Sequence, residues 1–359
     1  MTWSIPVRGT SARTLVRSLS ELRTTGRRSD GVQGLAIRRQ RVTWALVGAA
    51  ATVLVIVVVG AVVAIVRSGD EDRASSTTTV PDSSSGSSTT ETTSPAGNQA
   101  APPGTTEHSF RQGIINREYT VIAPDRVDGS ERLPVVMILH GLATDRFEAA
   151  SQTDLKAAVN EHGFIAVLPQ GVANSWNAGP CCPPATLARI DDAGFLDRVL
   201  AEVRARSDVD PERTYLVGFS NGGLLTYSQA CARPGTFTKI AVVAGVNLSG
   251  CAPQEPVPLL HLHGDPDRVV PYDGAFTPSQ LLATADTPPV PDSVASWAKA
   301  ENCEEPPTEQ DSGGVQRRRW SRCDGSATVE LVTYPGNGHT WPTTPVDGLA
   351  EILAFFELG

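Results

Sequence analysis

Seven short apolar runs, each closed by a turn signal, punctuate the later part of the chain. They are EYTVIAP (118–124), PVVMILHG (134–141), FIAVLPQG (164–171), TYLVG (214–218), TKIAVVAG (238–245), VPLLHLHG (257–264) and ATVELVTYP (327–335). Their shortness and their Val and Ile content predict strands buried on both faces. Helical periodicity separates many of them. The clearest case is DDAGFLDRVLAEVRAR (191–206), which puts Phe195, Val199, Leu200 and Val203 on one face. Similar patterns occur near 148–162, 221–233, 291–301 and 347–358. Strands alternating with helices predict an α/β domain with a mostly parallel central sheet flanked by helices. In such sheets the chemistry lies at the carboxyl ends of the strands.

One apolar run differs in kind. VTWALVGAAATVLVIVVVGAVVAIV (42–66) is 25 residues long and carries no charge. At about 1.5 Å per residue it exceeds the roughly 30 Å hydrocarbon core of a bilayer, and it is apolar on all sides. It predicts a transmembrane signal-anchor helix. A cleaved signal peptide is the rival, which would leave the protein secreted, but VVAIVRSGDED is a poor cleavage site.

Charge then orients the chain. Residues 1–41 hold nine Arg, no Lys and two acids, Glu21 and Asp30, whereas residues 67–359 hold 21 Lys and Arg against 37 Asp and Glu. Arg38, Arg39 and Arg41 abut one end of the apolar run, and Asp70, Glu71 and Asp72 follow the other. Positive residues stay in the cytoplasm, so the N-terminus is expected inside and the body outside. The net charge of −9 thus hides a basic tail and an acidic body. An acidic body argues against nucleic acid as a partner. Residues 75–94 contain fifteen Ser or Thr, with Pro and Gly following through 104. Such a stretch cannot bury a core and reads as a disordered tether. The expected organisation is a basic cytoplasmic tail (1–41), a membrane span through which the lipid bilayer is a partner (42–66), a Ser/Thr/Pro-rich linker (67–106) and an extracytoplasmic catalytic domain (107–359).

The sequence GFSNGG (218–223) contains Gly-x-Ser-x-Gly between the β-type run TYLVG and the helix-compatible run NGGLLTYSQACA (221–232). That context is the nucleophile elbow of an α/β-hydrolase, and it predicts Ser220 as the nucleophile. A serine hydroxyl needs a neighbouring base to take its proton. Of His108, His140, His162, His261, His263 and His339, only His339 lies in a Gly-rich loop between the last strand and the last helix, YPGNGHTWP (334–342). The chain order Ser, acid, His of this fold puts the base there. His261 and His263 alternate on a strand that must be buried and read as structural. The acid belongs after the penultimate strand, where LHLHGDPDRVVPYDG (260–274) offers Asp265, Asp267 and Asp273. Asp267 fits best, being far enough from the strand end to turn toward His339. The oxyanion needs two preorganised N–H donors. Asn221, directly after the nucleophile, and Leu142, after His140-Gly141, supply them through their backbones. No cofactor or metal is required by this chemistry.

The six cysteines all lie at 181 or later. An even number in an exported domain suggests disulfides, with Cys303 paired to Cys323 and Cys231 to Cys251. The adjacent Cys181 and Cys182 bridge each other, pair elsewhere or stay free. No Cys-x-x-Cys spacing supports a metal site.

Six blocks in order, LHG (139–141), SWNAGPCC (175–182), DDAGFLDRVL (191–200), GFSNGG (218–223), HGDPDRVVPY (263–272) and GNGHTWP (336–342), resemble the polyhydroxybutyrate depolymerase family of esterases. That family is similar to feruloyl and acetyl-xylan esterases. The resemblance runs from about 107 to 358 and implies a serine esterase whose acid is Asp267. Two departures stand out. Asp265 adds a second carboxylate beside Asp267, and Leu142 stands where relatives often have Cys.

Trp176 and Trp341, in loops at the active end, are candidates to stack on a sugar or phenolic ring of the substrate; the other use of such rings is to pack their loops. Little chain separates TKIAVVAG from VPLLHLHG, so no large lid is expected. The reading is a membrane-anchored extracytoplasmic serine esterase acting on short-chain or carbohydrate-linked esters. Two other uses of the scaffold are an acyltransferase similar to mycolyltransferases and a non-catalytic cell-surface binding protein.

Overall fold

Every residue of the strand Leu133–Leu139 is buried. Val135, Met137 and Leu139 enter an apolar core on one side of the sheet, and Val136 and Ile138 enter a second core on the other. This is the period-two alternation of a strand held between two apolar layers. The structure, a computed structural model, describes residues 104–125, 132–206, 209–274 and 287–358. The expected tail, the apolar run 42–66 and nearly all of the Ser/Thr-rich linker lie outside the described residues. Among the described residues no helix is long and apolar enough to cross a membrane.

The strands are β1 (Gly104–Gln112), β2 (Ile115–Ala123), β3 (Leu133–Leu139), β4 (Ile165–Pro169), β5 (Val209–Phe219), β6 (Lys239–Val243), β7 (Leu259–Gly264), β8 (Thr308–Ser312), β9 (Val315–Trp320) and β10 (Val329–Tyr334). They form a 10-stranded sheet in the order β1-β2-β4-β3-β5-β6-β7-β10-β9-β8. The central strands from β4 through β10 run parallel, and antiparallel hairpins extend both edges. The helices are α1 (Glu148–Gln152), α2 (Leu155–His162), α3 (Asp192–Arg206), α4 (Asn221–Ala232), α5 (Val290–Ala300) and α6 (Gly348–Phe355). Helices α3, α4 and α5 supply one core through Phe195, Leu224 and Trp297, among others. Helices α1, α2 and α6 supply the other through Ala149, Val159 and Ile352. All seven apolar runs are strands, and the expected mostly parallel sheet with flanking helices is the architecture found.

The differences lie at the margins. The helix expected over 148–162 is two helices, because Thr153 is extended between them (φ −136°, ψ 164°). Its hydroxyl bonds back to Ala149 O at 2.8 Å, a local competitor to continued helix. Strand β1 starts at Gly104 and so reaches into the expected linker. Strands β1, β8 and β9 escaped the pattern because they lie at or next to the sheet's edges with exposed faces; every residue of the edge strand β8 is exposed. Charge guards that edge, as expected for an unpaired strand: Glu309 of β8 pairs with Arg318 of β9. One strand further in, Arg317 of β9 pairs with Glu330 and Glu351.

Three disulfides are formed. Cys231–Cys251 and Cys303–Cys323 pair as expected, and Cys181 pairs with its neighbour Cys182. Beside the Cys303–Cys323 bridge sits Glu301, only 2% exposed. One carboxylate oxygen accepts from Val257 N at 2.8 Å and Trp297 Nε1 at 3.1 Å, while the other has no partner among the described residues. Burial pushes its pKa up to about 7 against the pull of those two donors. A folded-state pKa above the unfolded value means the fold holds the extra proton. The stability is therefore full below the ordinary glutamate range and falls as pH rises through about 7. Glu301→Gln is expected to flatten that fall and to gain on the order of 1–3 kcal/mol above it. Urea titrations of both proteins on either side of this window measure the effect. A gain that does not grow with pH would show that ionisation of Glu301 is not its source.

Candidate active site

The side chains assigned to chemistry converge at the carboxyl ends of the parallel strands. Ser220 follows β5, Asp267 follows β7 and His339 follows β10. Ser220 sits at φ 52° and ψ −118°, a left-handed backbone rarely adopted by a residue with a side chain. Such a conformation costs about 1–3 kcal/mol and persists only where its surroundings over-determine it. Here the Ser220 N–H is held by Val243 O at 2.9 Å, and its carbonyl accepts from Leu224 N at 3.0 Å as α4 begins. The flanking glycines are required by contact. A Cβ at Gly218 would collide with Gly222 O and the Thr226 hydroxyl, and one at Gly222 would lie 2.5 Å from Leu139 O.

His339 Nε2 lies 2.8 Å from Ser220 Oγ, and His339 Nδ1 lies 2.7 Å from Asp267 Oδ2. The other Asp267 oxygen, Oδ1, accepts from the amides of Val269 at 2.7 Å and Val270 at 2.9 Å. Burial pushes the Asp267 carboxyl up, but hydrogen bonds from His263, His339 and the Val270 amide outweigh it. The group lies below the ordinary carboxylate range and is ionised. Asp265 is turned away: its Oδ1 accepts from Gly336 N at 2.8 Å and ties its loop to the loop carrying His339. Asp273 is exposed and makes no bond to His339.

The loop after β3 is fixed from several directions. His140 Nδ1 is 2.7 Å from Gly141 O, and His140 Nε2 accepts from Gly171 N at 2.9 Å. Burial pushes the His140 pKa down to about 4, so the ring is neutral and carries its proton on Nδ1. Glu148 Oε2 accepts from Gly141 N at 2.6 Å and Trp176 Nε1 donates to His140 O at 2.9 Å. Among the described residues the amides of Leu142 and Asn221 have no acceptor. The Asn221 side chain exchanges two hydrogen bonds with the backbone of Trp176, at 2.8 and 3.2 Å. It clamps the loop carrying the Cys181–Cys182 bridge onto the residue after Ser220.

The two tryptophans do not meet the expectation of a stacking surface. Trp176 has no exposed area and Trp341 is 3% exposed. Trp176 packs against His140, with centroids 4.8 Å apart, and Trp341 stacks on Phe219 at 6.0 Å. Both are consumed in supporting the loops that carry the site. A buried ion pair completes that support. Arg117 donates to Asp192 Oδ1 at 2.7 Å, Asp192 Oδ2 accepts from Asn177 N at 2.7 Å, and the guanidinium lies 3.6 Å from the Phe195 ring centroid. Breaking such a buried pair from one side typically costs about 3–5 kcal/mol. Sequence reasoning missed Arg117, Glu148 and the Asn221 side chain. Asn221 lay within the singled-out GFSNGG, and Asp192, the partner of Arg117, lay within the DDAGFLDRVL block.

A family model named Esterase and described as "Putative esterase" matches residues 113–330. The chain belongs to the Esterase family. It is 31% identical over 230 residues to "Putative esterase NocK" of Nocardia uniformis subsp. tsuyamanensis, covering 59% of this chain and 66% of that protein. It is 29% identical over 236 residues to Feruloyl esterase B of Piromyces equi, covering 62% of this chain and 42% of that protein. The matches thus span less than two thirds of these relatives' own lengths. Among solved structures, an acetyl xylan esterase from Aspergillus awamori superposes with a TM-score of 0.53 at 14% identity, over 71% of this chain and 100% of that one. That likeness is one of fold. Feruloyl and acetyl-xylan esterases, to which the sequence blocks pointed, are thus among the proteins this chain is similar to.

Proposed function

We propose that residues 107–359 form a serine carboxylic ester hydrolase working through Ser220, His339 and Asp267. The observation that carries this reading is the unbroken chain Ser220 Oγ–His339 Nε2 at 2.8 Å and His339 Nδ1–Asp267 Oδ2 at 2.7 Å. Asp267 accepts a hydrogen bond from Nδ1–H, which keeps the proton on Nδ1 and leaves Nε2 free to take the serine proton as Oγ attacks the ester carbonyl. The amides of Leu142 and Asn221 stabilise the oxyanion. Collapse of the tetrahedral intermediate expels the alcohol, protonated by His339, and leaves an acyl-enzyme that water opens by the reverse sequence. The substrate class is a short-chain or carbohydrate-linked ester, in keeping with relatives named feruloyl and acetylxylan esterases. The apolar run 42–66 and the charge asymmetry around it support a membrane anchor that holds the catalytic domain outside the cell.

The full-length chain is expected to hydrolyse members of a panel of p-nitrophenyl, feruloyl and acetyl-sugar esters. A serine-directed fluorophosphonate should abolish this activity and EDTA should leave it intact. Loss in EDTA that zinc restores would sink the triad reading, because a metal would then generate the nucleophile. An added sugar acceptor that receives the acyl group in preference to water would indicate an acyltransferase instead. Protease added to intact cells should clip the tether and release soluble activity. Activity confined to the cell interior would overturn the proposed topology.

A further inference from the structure

Behind the Asp267 loop the structure places three buried polar side chains for which the ester chemistry has no assigned use. Tyr227 comes from α4, and His261 and His263 come from β7. All three are fully buried. Tyr227 OH lies 2.8 Å from His261 Nδ1, and His261 Nε2 lies 3.1 Å from His263 Nδ1. His263 Nε2 lies 2.9 Å from Val270 O and 3.4 Å from Asp267 Oδ2. The imidazoles stack with centroids 5.3 Å apart. Buried polar groups of this kind are costly unless every member is satisfied.

The far end of the chain fixes the direction of every bond. A carbonyl and a carboxylate oxygen only accept, so His263 Nε2 carries a proton and donates it. Burial keeps the His261 imidazole uncharged, so with its Nδ1 on the Tyr227 hydroxyl its Nε2–H donates to His263 Nδ1. His261 Nδ1 accepts in turn from the Tyr227 hydroxyl. The result is a row of donors from the core to the turn Asp267–Val270. That turn is the one whose Val269 and Val270 amides grip Asp267 Oδ1. His263 therefore holds the carbonyl of the residue whose amide holds the carboxylate, and it also approaches the oxygen that faces His339.

We propose that His263 is a positioning residue for the ester chemistry: it locks the Asp267–Val270 turn so that Asp267 Oδ2 faces His339, and Tyr227 and His261 fix the tautomer in which it does so. The inference rests on the triad reading of Ser220, His339 and Asp267. A loosening of about 1 Å at this turn is enough to matter, because catalytic geometry misplaced by that distance costs on the order of 100-fold.

The test compares two polar replacements on the full-length chain. Gln at 263 puts a donor near the position of Nε2 and can reach Val270 O. Asn is shorter, ends near the position of Nδ1, and cannot. The readout is the rate at which a fluorophosphonate labels Ser220, which needs no knowledge of the natural ester, with thermal midpoints as the control for folding. His263→Gln is expected to label within about threefold of wild type, and His263→Asn at least tenfold more slowly. Tyr227→Phe removes one oxygen, keeps the ring, and does not depend on what position 263 tolerates. It frees the tautomer of His261 and is expected to slow labelling severalfold. Equal rates for the Gln and Asn variants overturn the positioning role while leaving the triad intact. A wild-type rate for Tyr227→Phe overturns the relay behind His263. Failure of the wild-type protein to label at Ser220 overturns the triad reading, and this inference with it.

Discussion

Ser220→Ala is expected to lower ester turnover by about 10⁴-fold or more while leaving the folded structure intact. The hydroxyl is the atom His339 faces at 2.8 Å, and among the described residues no other hydroxyl bonds to that imidazole. Alanine keeps the Cβ, so the contacts of Ser220 N with Val243 O and of Ser220 O with Leu224 N remain. The thermal midpoint should therefore stay near that of wild type. Turnover above about a tenth of wild type in the purified variant would remove Ser220 from the nucleophile's role. A second variant separates chemistry from strain. The backbone at 220 lies at φ 52°, where glycine is at ease and alanine is not. Ser220→Gly should be as inactive as Ser220→Ala and at least as stable. If glycine proved the less stable, the positive φ would not be a burden on the fold.

Much of this site was legible in the chain because each signal was local. The elbow is written in consecutive residues: a β-branched run, two glycines, Gly218 and Gly222, that contact forbids from carrying a Cβ, and a helix. His339 was legible through its loop, since an α/β order places the base between the last strand and the last helix. What stayed hidden depends on pairs that no motif joins. Glu148, the first residue of α1, reaches back over the preceding loop to Gly141, and Arg117 on β2 reaches Asp192 at the start of α3. No spacing rule announces such contacts. Trp176 and Trp341 show the opposite failure. An aromatic ring in a loop at the active end has two uses, stacking on substrate or filling the space under a loop. Both rings take the second, because the loops that carry His140 and His339 need an apolar floor. The outer strands β8 and β9 were missed for a related reason: they bury too little to impose an apolar period.

Asp267→Asn is expected to lower turnover by about 10³–10⁴-fold, and Asp265→Asn by no more than about threefold. The two carboxylates are two residues apart, but their partners differ. Asp267 Oδ1 is gripped by the Val269 and Val270 amides, so an asparagine there must keep its carbonyl oxygen on that side. Its NH₂ then points at His339 Nδ1, where the carboxylate accepted at 2.7 Å. Facing a donor, Nδ1 must give up its proton, and the proton moves to Nε2. His339 in that tautomer presents N–H to Ser220 and cannot take the serine proton. Rotating the amide would trade one clash for two, since its NH₂ would face both backbone amides. Asp265→Asn meets no such conflict. Among the described residues its carboxylate bonds only to Gly336 N, at 2.8 Å, and an asparagine oxygen accepts that bond equally well. Both variants should be measured for kcat and KM on the best ester of the panel, with midpoints to show that each folds. The loss at 267 should fall on kcat, because the defect lies in proton transfer and not in substrate binding. A larger loss at 265 would transfer the acid's role to that residue. Equal losses would show that the two loops act as one unit, held together through Gly336.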